Sequence, residues 1–238
     1  MSTTGGVKQI TLEIEKDDYH VEEAFKSLRT NLQFCGDDKK VIAFTSCFEN
    51  EGKSLVTLRL AKTLAGSGKR TLLLDADIRK SVLMGRVKGK NGDTLGLSHF
   101  LSGQASLSDI LYEEENSGIY VIFTGPFPPN PSELLGSKRF KELVEQLRTA
   151  FHYVIIDTPP IGSVIDAAVV AESCDGVVLV ITQGQVSYRF AQEVKGQLER
   201  TGTPILGAVL NKVDPKGEGY GYYGKYYGKY YGTYGSKG

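Results

Sequence analysis

Short, strongly apolar runs alternate with longer amphipathic stretches along residues 19–214. Six runs, at 41–46, 70–75, 119–124, 153–157, 176–182 and 205–211, are rich in Val, Ile and Leu and show little polar alternation. That pattern predicts strands buried on both faces of a parallel sheet. The stretches 19–34, 53–65, 106–111, 137–150, 165–173 and 188–201 predict helices. In the first of these, Val21, Phe25, Leu28 and Leu32 share one face at helical spacing. Strands separated by helices imply βαβ crossovers. The expected fold class is therefore α/β, a doubly wound, mostly parallel sheet with helices on both faces. Ligands in that architecture gather at the carboxyl ends of strands, so the residues that follow each apolar run carry the chemistry.

From Pro215 the pattern breaks. Residues 215–238 hold eight glycines and eight tyrosines, Tyr220, Tyr222, Tyr223, Tyr226, Tyr227, Tyr230, Tyr231 and Tyr234, in a near-repeat of YYGK. A period of four suits a helical stripe. Eight glycines, each about 1 kcal/mol worse than Ala in a helix, favour a flexible, disordered tail instead. Three parts are expected: an N-terminal segment 1–18, a domain 19–214 and the tail 215–238. The 238 residues carry 28 basic and 28 acidic side chains, so net charge exerts no global pull on nucleic acid or anionic lipid. The tail, with four lysines and one glutamate, is nevertheless +3, and the rest of the chain −3. Cys35, Cys47 and Cys174 form no CxxC pair, which argues against a disulfide framework and a structural zinc and for a reducing compartment. No apolar run reaches 18 residues and the first residues do not read as a signal peptide, so a cytoplasmic protein is expected.

The first strand of the domain is followed by Ser46-Cys47-Phe48-Glu49-Asn50-Glu51-Gly52-Lys53-Ser54 and then a helix. Gly52-Lys53-Ser54 is the end of a Walker A phosphate loop in its strand–loop–helix setting. Successive amides from Asn50 to Leu55 would cradle phosphate at a helix N-terminus. Lys53 would reach the β- and γ-phosphates, and Ser54 would hold Mg²⁺. Cys47 stands where the full motif has glycine. A cysteine-phosphatase loop would need Arg at position 53, and the lysine there lacks the planar fork.

Two further runs end in acids. LLLDADIR places Asp75 and Asp77 one residue apart, and VIIDTPP closes on Asp157 in the Walker B arrangement. Beside a triphosphate, one acid of the first pair can ligate Mg²⁺ and the other can accept a proton from an attacking hydroxyl. Three acids and a lysine converging on one crevice predict a magnesium–nucleotide site with ATP as the ligand. Asn211, at the end of the last strand, fits either an adenine contact or a turn. Asp166 reads as a helix cap. His20, His99 and His152 lack metal spacing, and Tyr112 and Tyr120 read as packing residues.

The GKS loop, LLLDADIR, VIIDTPP, the loop GPFPPNPSELL at 125–135 and the tyrosine-rich tail together resemble the bacterial tyrosine kinases, specifically the cytoplasmic autokinases of Gram-positive capsule and exopolysaccharide systems. The resemblance implies a P-loop NTPase fold and an ATP- and Mg²⁺-dependent protein-tyrosine kinase that phosphorylates its own tail in trans. It implies that Asp75 assists deprotonation of the tyrosine, that Asp77 binds Mg²⁺ and that Asp157 is the Walker B acid. It implies a ring-like homo-oligomer contacted through Glu23, Lys26 and Arg29, where Lys26 replaces the family's first arginine. The bland reading of that triplet is a solvated helix face. It also implies a separate membrane-anchored activator that recruits the protein to the inner face of the membrane, a cognate tyrosine phosphatase and other protein substrates. The competing expectation is a partition- or division-site ATPase switch without kinase activity. Many such ATPases carry a second lysine where this chain has Phe48, which favours the kinase. As an RNA-stacking platform the tail is too weakly charged, so no nucleic-acid partner is expected.

Overall fold

The computed structural model describes residues 7–88 and 94–213. The buried branched runs pair side by side into one eight-stranded sheet. In chain order the strands are β1 (Lys8–Ile10), β2 (Val41–Ser46), β3 (Thr71–Asp75), β4 (Leu111–Glu114), β5 (Tyr120–Ile122), β6 (Tyr153–Asp157), β7 (Gly176–Thr182) and β8 (Ile205–Asn211). The spatial order is β1-β4-β5-β3-β6-β2-β7-β8, and every pairing is parallel except β4 with β5. All residues of β2, β3 and β6 are buried, as their unbroken apolar sequences require.

The helices are α1 (Tyr19–Phe34), α2 (Lys53–Ala65), α3 (Leu97–Leu101), α4 (Leu107–Ile110), α5 (Pro131–Leu135), α6 (Lys138–Ala150), α7 (Asp166–Ala171) and α8 (Tyr188–Glu199). Side chains of α1 and α2 form one core with β2, β3, β5 and β6. Those of α3, α5, α6, α7 and α8 form a second core on the opposite face. Asp18, Ser137 and Ser187 cap α1, α6 and α8 by accepting the amides of Val21, Phe140 and Phe190. The doubly wound architecture is as the sequence predicts, and β2, β6, β7 and β8 have the expected bounds.

Two strands escape the apolar-run pattern. The expected helix at 106–111 is one turn, α4, which passes directly into β4, and residues of the N-terminal segment add β1 to its outer side. Both strands are short and carry charges (KQI and LYEE), the usual form of a sheet margin. The tail 215–238, with its eight tyrosines, lies outside the described residues.

Candidate active site

The phosphate loop joins β2 to α2, at the centre of the sheet. The backbone amides of Asn50, Glu51, Gly52, Lys53 and Ser54 have no acceptor among the described residues, whereas that of Leu55 is bonded to the Gly52 carbonyl at 3.1 Å. Five open donors at a helix N-terminus form an anion cradle. Gly52 is required twice over. Its φ is +85°, and a Cβ there would sit 2.3 Å from Asn211 Nδ2. Asn50 also has positive φ, at 62°, a conformation Asn tolerates. Cys47 is not among the positive-φ residues, so the missing motif glycine costs no backbone strain. Burial pushes the Cys47 thiol up to about 11, with Glu51 adding to the effect, so this cysteine is not a thiolate nucleophile at neutral pH.

Distant side chains hold the loop in shape. The Glu51 carboxylate, only 1% exposed, accepts the amide of Phe48 at 2.8 Å and that of Thr182 on β7 at 2.9 Å. Its side chain is a brace, and only its backbone faces the cradle. Asn211 Nδ2 donates to the Glu51 carbonyl at 2.8 Å, and Lys212 Nζ to the Asn50 carbonyl at 2.7 Å. Phe48 stacks on Phe190 of α8, with centroids 4.6 Å apart and planes 5° from parallel. The ring that replaces a lysine thus packs within its own chain.

The sheet register brings the acids together. Asp75 and Asp157 are directly paired residues of β3 and β6. Asp77 lies in the turn beyond β3. Lys53 Nζ lies 3.1 Å from Asp77 Oδ2 and 3.4 Å from Asp157 Oδ1. The remaining polar contacts fix each carboxylate. Asp75 Oδ1 accepts the Asp77 amide at 3.2 Å, and Oδ2 accepts the Ser81 hydroxyl at 2.6 Å. Asp77 Oδ1 accepts the Lys80 amide at 3.1 Å. Burial lowers the proton affinity of Lys53, but Asp157 and Asp77 outweigh it and hold the ammonium form. Burial and the neighbouring Asp157 push the Asp75 acid well above the usual carboxylate range. Burial also raises Asp157, against the pull of Lys53 and Ser54.

Three acids sharing one cation leave a deficit of positive charge. Asp157 Oδ1 is buried, with Lys53 at ion-pair distance and no hydrogen bond among the described residues, so it can share a further cation. Oxygen donors from Ser54, Asp77 and Asp157 suit a hard divalent ion such as Mg²⁺, completed by phosphate and water.

A pH dependence follows. Asp75 and Asp157 have folded pKa values raised above about 3.9, the unfolded value. Their stabilising contribution is full below that pH and is lost as pH rises through the folded values. The unliganded chain therefore loses stability relative to Asp75→Asn as pH rises from 4 toward neutrality. Thermal melts of both proteins across that range check it, and parallel curves would refute it.

Beyond the crevice, Arg79 forks onto Asp166, with Nε at 2.7 Å and Nη2 at 3.1 Å. Ser132 of α5 donates to the same carboxylate at 2.6 Å. Asp166 is fully buried and is the first residue of α7, so it is a clamp between three elements rather than the expected cap. The clamp ties the turn bearing Asp77 to the end of the proline loop. Arg79 is itself about a third exposed, at 34% of its side chain, so water offsets part of its loss. Arg79→Ala should cost about 1–3 kcal/mol, read as a lower denaturant midpoint, and Arg79→Lys should recover only part of it because one fork arm is missing.

The remaining sequence candidates lie apart from the crevice. Glu23 and Lys26 pair with each other at 2.7 Å on the surface of α1, and Arg29 contacts the Thr63 carbonyl of α2 at 3.5 Å. His99 and His152 accept backbone amides. Tyr112 is buried, and Tyr120 packs against Phe151. The Glu51 brace and the Arg79 clamp escaped sequence reasoning. Among the described residues, no helix is long and apolar enough to cross a membrane.

Comparison with known proteins places this geometry in context. The family profile described as "AAA domain" matches residues 39–201. A tyrosine-protein kinase, CpsD, of Streptococcus agalactiae is 45% identical over 203 residues, covering 85% of this chain and 88% of the relative. The tyrosine-protein kinase YwqD of Bacillus subtilis (strain 168) is 38% identical over 205 residues, covering 85% and 86%. Among solved structures, the chimerical protein CapA2B2 superposes with a TM-score of 0.78 at 31% identity, over 87% of this chain and 93% of that one.

Proposed function

Because this chain belongs to the bacterial tyrosine-protein kinases built on an AAA domain, we propose that it transfers the γ-phosphoryl group of ATP to tyrosines of its own segment 215–238, presented by a neighbouring copy. The carrying observation is the meeting of five open amides and Lys53 with the strand-end acids. The amides of residues 50–54 bind the phosphates, and Lys53 exchanges part of its pairing with Asp77 and Asp157 for phosphate oxygens. Ser54, Asp77 and Asp157 would hold Mg²⁺, which when bound neutralises charge on the phosphates. Asp75, whose proton affinity is raised, takes the phenol proton. The phenol oxygen forms the new bond to Pγ as the bond from Pγ to the bridging oxygen breaks, and ADP leaves. Asn211, which braces the loop beside the cradle, would lie near a bound nucleotide.

A tail of charge +3 suits a crevice rich in carboxylates. Each phosphate adds about −1.5 to −2, so full modification takes the tail to about −9 to −13 and favours its departure. Glu23, Lys26 and Arg29 form the contact between copies in a ring. A membrane-anchored partner activates the kinase at the inner face of the membrane, a tyrosine phosphatase resets it, and the cycle controls capsular or exopolysaccharide synthesis.

Transfer between copies is tested by mixing two inactive-in-cis partners. One is the full chain carrying Lys53→Met, and the other is an intact-site chain truncated after Asp214. With Mg-ATP, phosphotyrosine should appear on the full-length chain only in the mixture. Phosphate release without phosphotyrosine would instead favour the ATPase switch.

A further inference from the structure

On the α1–α2 face, away from the crevice, a groove of about 560 Å³ opens between residues 14–17, α1 and the C-terminal half of α2. Lys16, Lys26, Arg29, Arg59 and Lys62 line it, against three acids, Glu15, Asp17 and Glu22. The spacing explains the cluster. Lys26 and Arg29 are three apart on α1, Arg59 and Lys62 three apart on α2, and the packed helices present both pairs to one recess. Arg59 pairs with Asp17 and lies 6.0 Å over the Phe25 ring, and its Nε, like Asp17 Oδ1, is buried with no hydrogen-bond partner among the described residues. Among the described residues Arg29 makes one polar contact, at 3.5 Å to the Thr63 carbonyl. With Lys26 paired to Glu23 and Arg59 to Asp17, the cations without an ion pair among the described residues are Lys16, Arg29 and Lys62, and these suit an anion with several oxygens.

We propose that this groove binds the phosphorylated form of the chain's own tail, with phosphotyrosine oxygens held by Arg29, Arg59 and Lys62. This rests on the autokinase reading, since it needs a tail that carries phosphate. The unmodified tail is +3 and is repelled by the groove. Two or three phosphates cancel or reverse that charge. The 25 residues beyond Val213 span up to about 80–90 Å when extended, several times the roughly 17 Å radius of gyration of a domain this size. Any face of the same chain, or of a neighbour, lies within reach. The occupant also engages Lys26 and Arg29, the residues assigned to the contact between copies. Phosphorylation then both frees the tail from the crevice and supplies a competitor for that contact.

The test uses the full chain with Lys53→Met, whose own tail acquires no phosphate. Two synthetic peptides of residues 224–234 serve as probes, one unmodified and one with phosphotyrosine at Tyr226, Tyr227, Tyr230 and Tyr231. By fluorescence anisotropy the modified peptide should bind at least about tenfold more tightly, and the difference should shrink with added salt. Lys16→Glu combined with Lys62→Glu should weaken it by about tenfold or more at an unchanged melting temperature. Equal binding of the two peptides, or binding untouched by the double variant, overturns the proposal. A double variant that alters assembly but not peptide binding assigns the groove to a second copy and likewise overturns it. Failure of the autokinase reading shows separately, as absence of phosphotyrosine on the Lys53-containing chain in Mg-ATP.

Discussion

Replacing Lys53 with Met lowers tyrosine phosphorylation by at least about 10³-fold, because one fixed positive group is removed from the place where phosphoryl charge moves in the transition state. The side chain is 9% exposed and contacts two of the three acids in the crevice. Met preserves its length and apolar stem, so the helix and sheet stay in place, while Asp77 and Asp157 lose their shared cation. Lys53→Arg should recover under about a tenth of the activity, since a planar fork does not fit where a compact ammonium sits between two carboxylates. A phosphotyrosine time course with purified chain measures both variants, and circular dichroism checks the fold. A Lys53→Met rate within tenfold of the parent would mean that the amides alone suffice.

The second large effect is on stability. Glu51→Ala strips one buried amide, that of Thr182, and one part-buried amide, that of Phe48, of their acceptor among the described residues. Each orphaned donor costs about 1–3 kcal/mol, giving roughly 3 kcal/mol in total. For a chain of this length that lowers the melting temperature by about 6–12 °C. Glu51→Gln keeps one acceptor oxygen and should lose about half as much. Nucleotide affinity should fall with stability, because the brace fixes the curvature of the loop whose amides meet phosphate. Isothermal titration with Mg-ADP reads the affinity, and calorimetry the melting. An Ala variant that melts within 2 °C of the parent would show that water replaces the carboxylate.

How much of this was legible beforehand depends on where each partner lies in the chain. Strands β2, β6 and β7 announce themselves because residues buried on both faces are almost all apolar, whereas β8 reads as apolar although it is an outer strand with no buried residue. β1, at one edge, and β4 beside it do not, because both are short and carry Lys or Glu. Lys53, Asp75, Asp77 and Asp157 were readable since each follows an apolar run at a strand end, and parallel register then sets them side by side. Glu51 was readable only as one of the phosphate-loop residues, Asn50 to Leu55, whose amides would cradle the nucleotide. Its partner Thr182 is 131 positions away, and nothing local distinguishes a brace from a solvated acid. Asp166 misled for the same reason: an acid at a helix start is ordinarily a cap, and Arg79 lies 87 positions earlier. The Cys47 departure from the glycine motif is harmless because the conformation there needs no glycine.

The pairing of β1 with β4 bears on how the chain reaches its native state. Gln9 meets Glu113 across 104 positions, so the join closes a very long loop for only three residues of ladder. Loop-closure entropy is large and the return small, which puts this step late on the folding route, after the central strands have condensed. Until it docks, β4 offers an open row of backbone donors and acceptors, the kind of template on which partly folded chains stick to one another. Refolding yield should therefore depend on protein concentration more steeply when residues 1–10 are missing, although the nucleotide crevice itself lies several strands away.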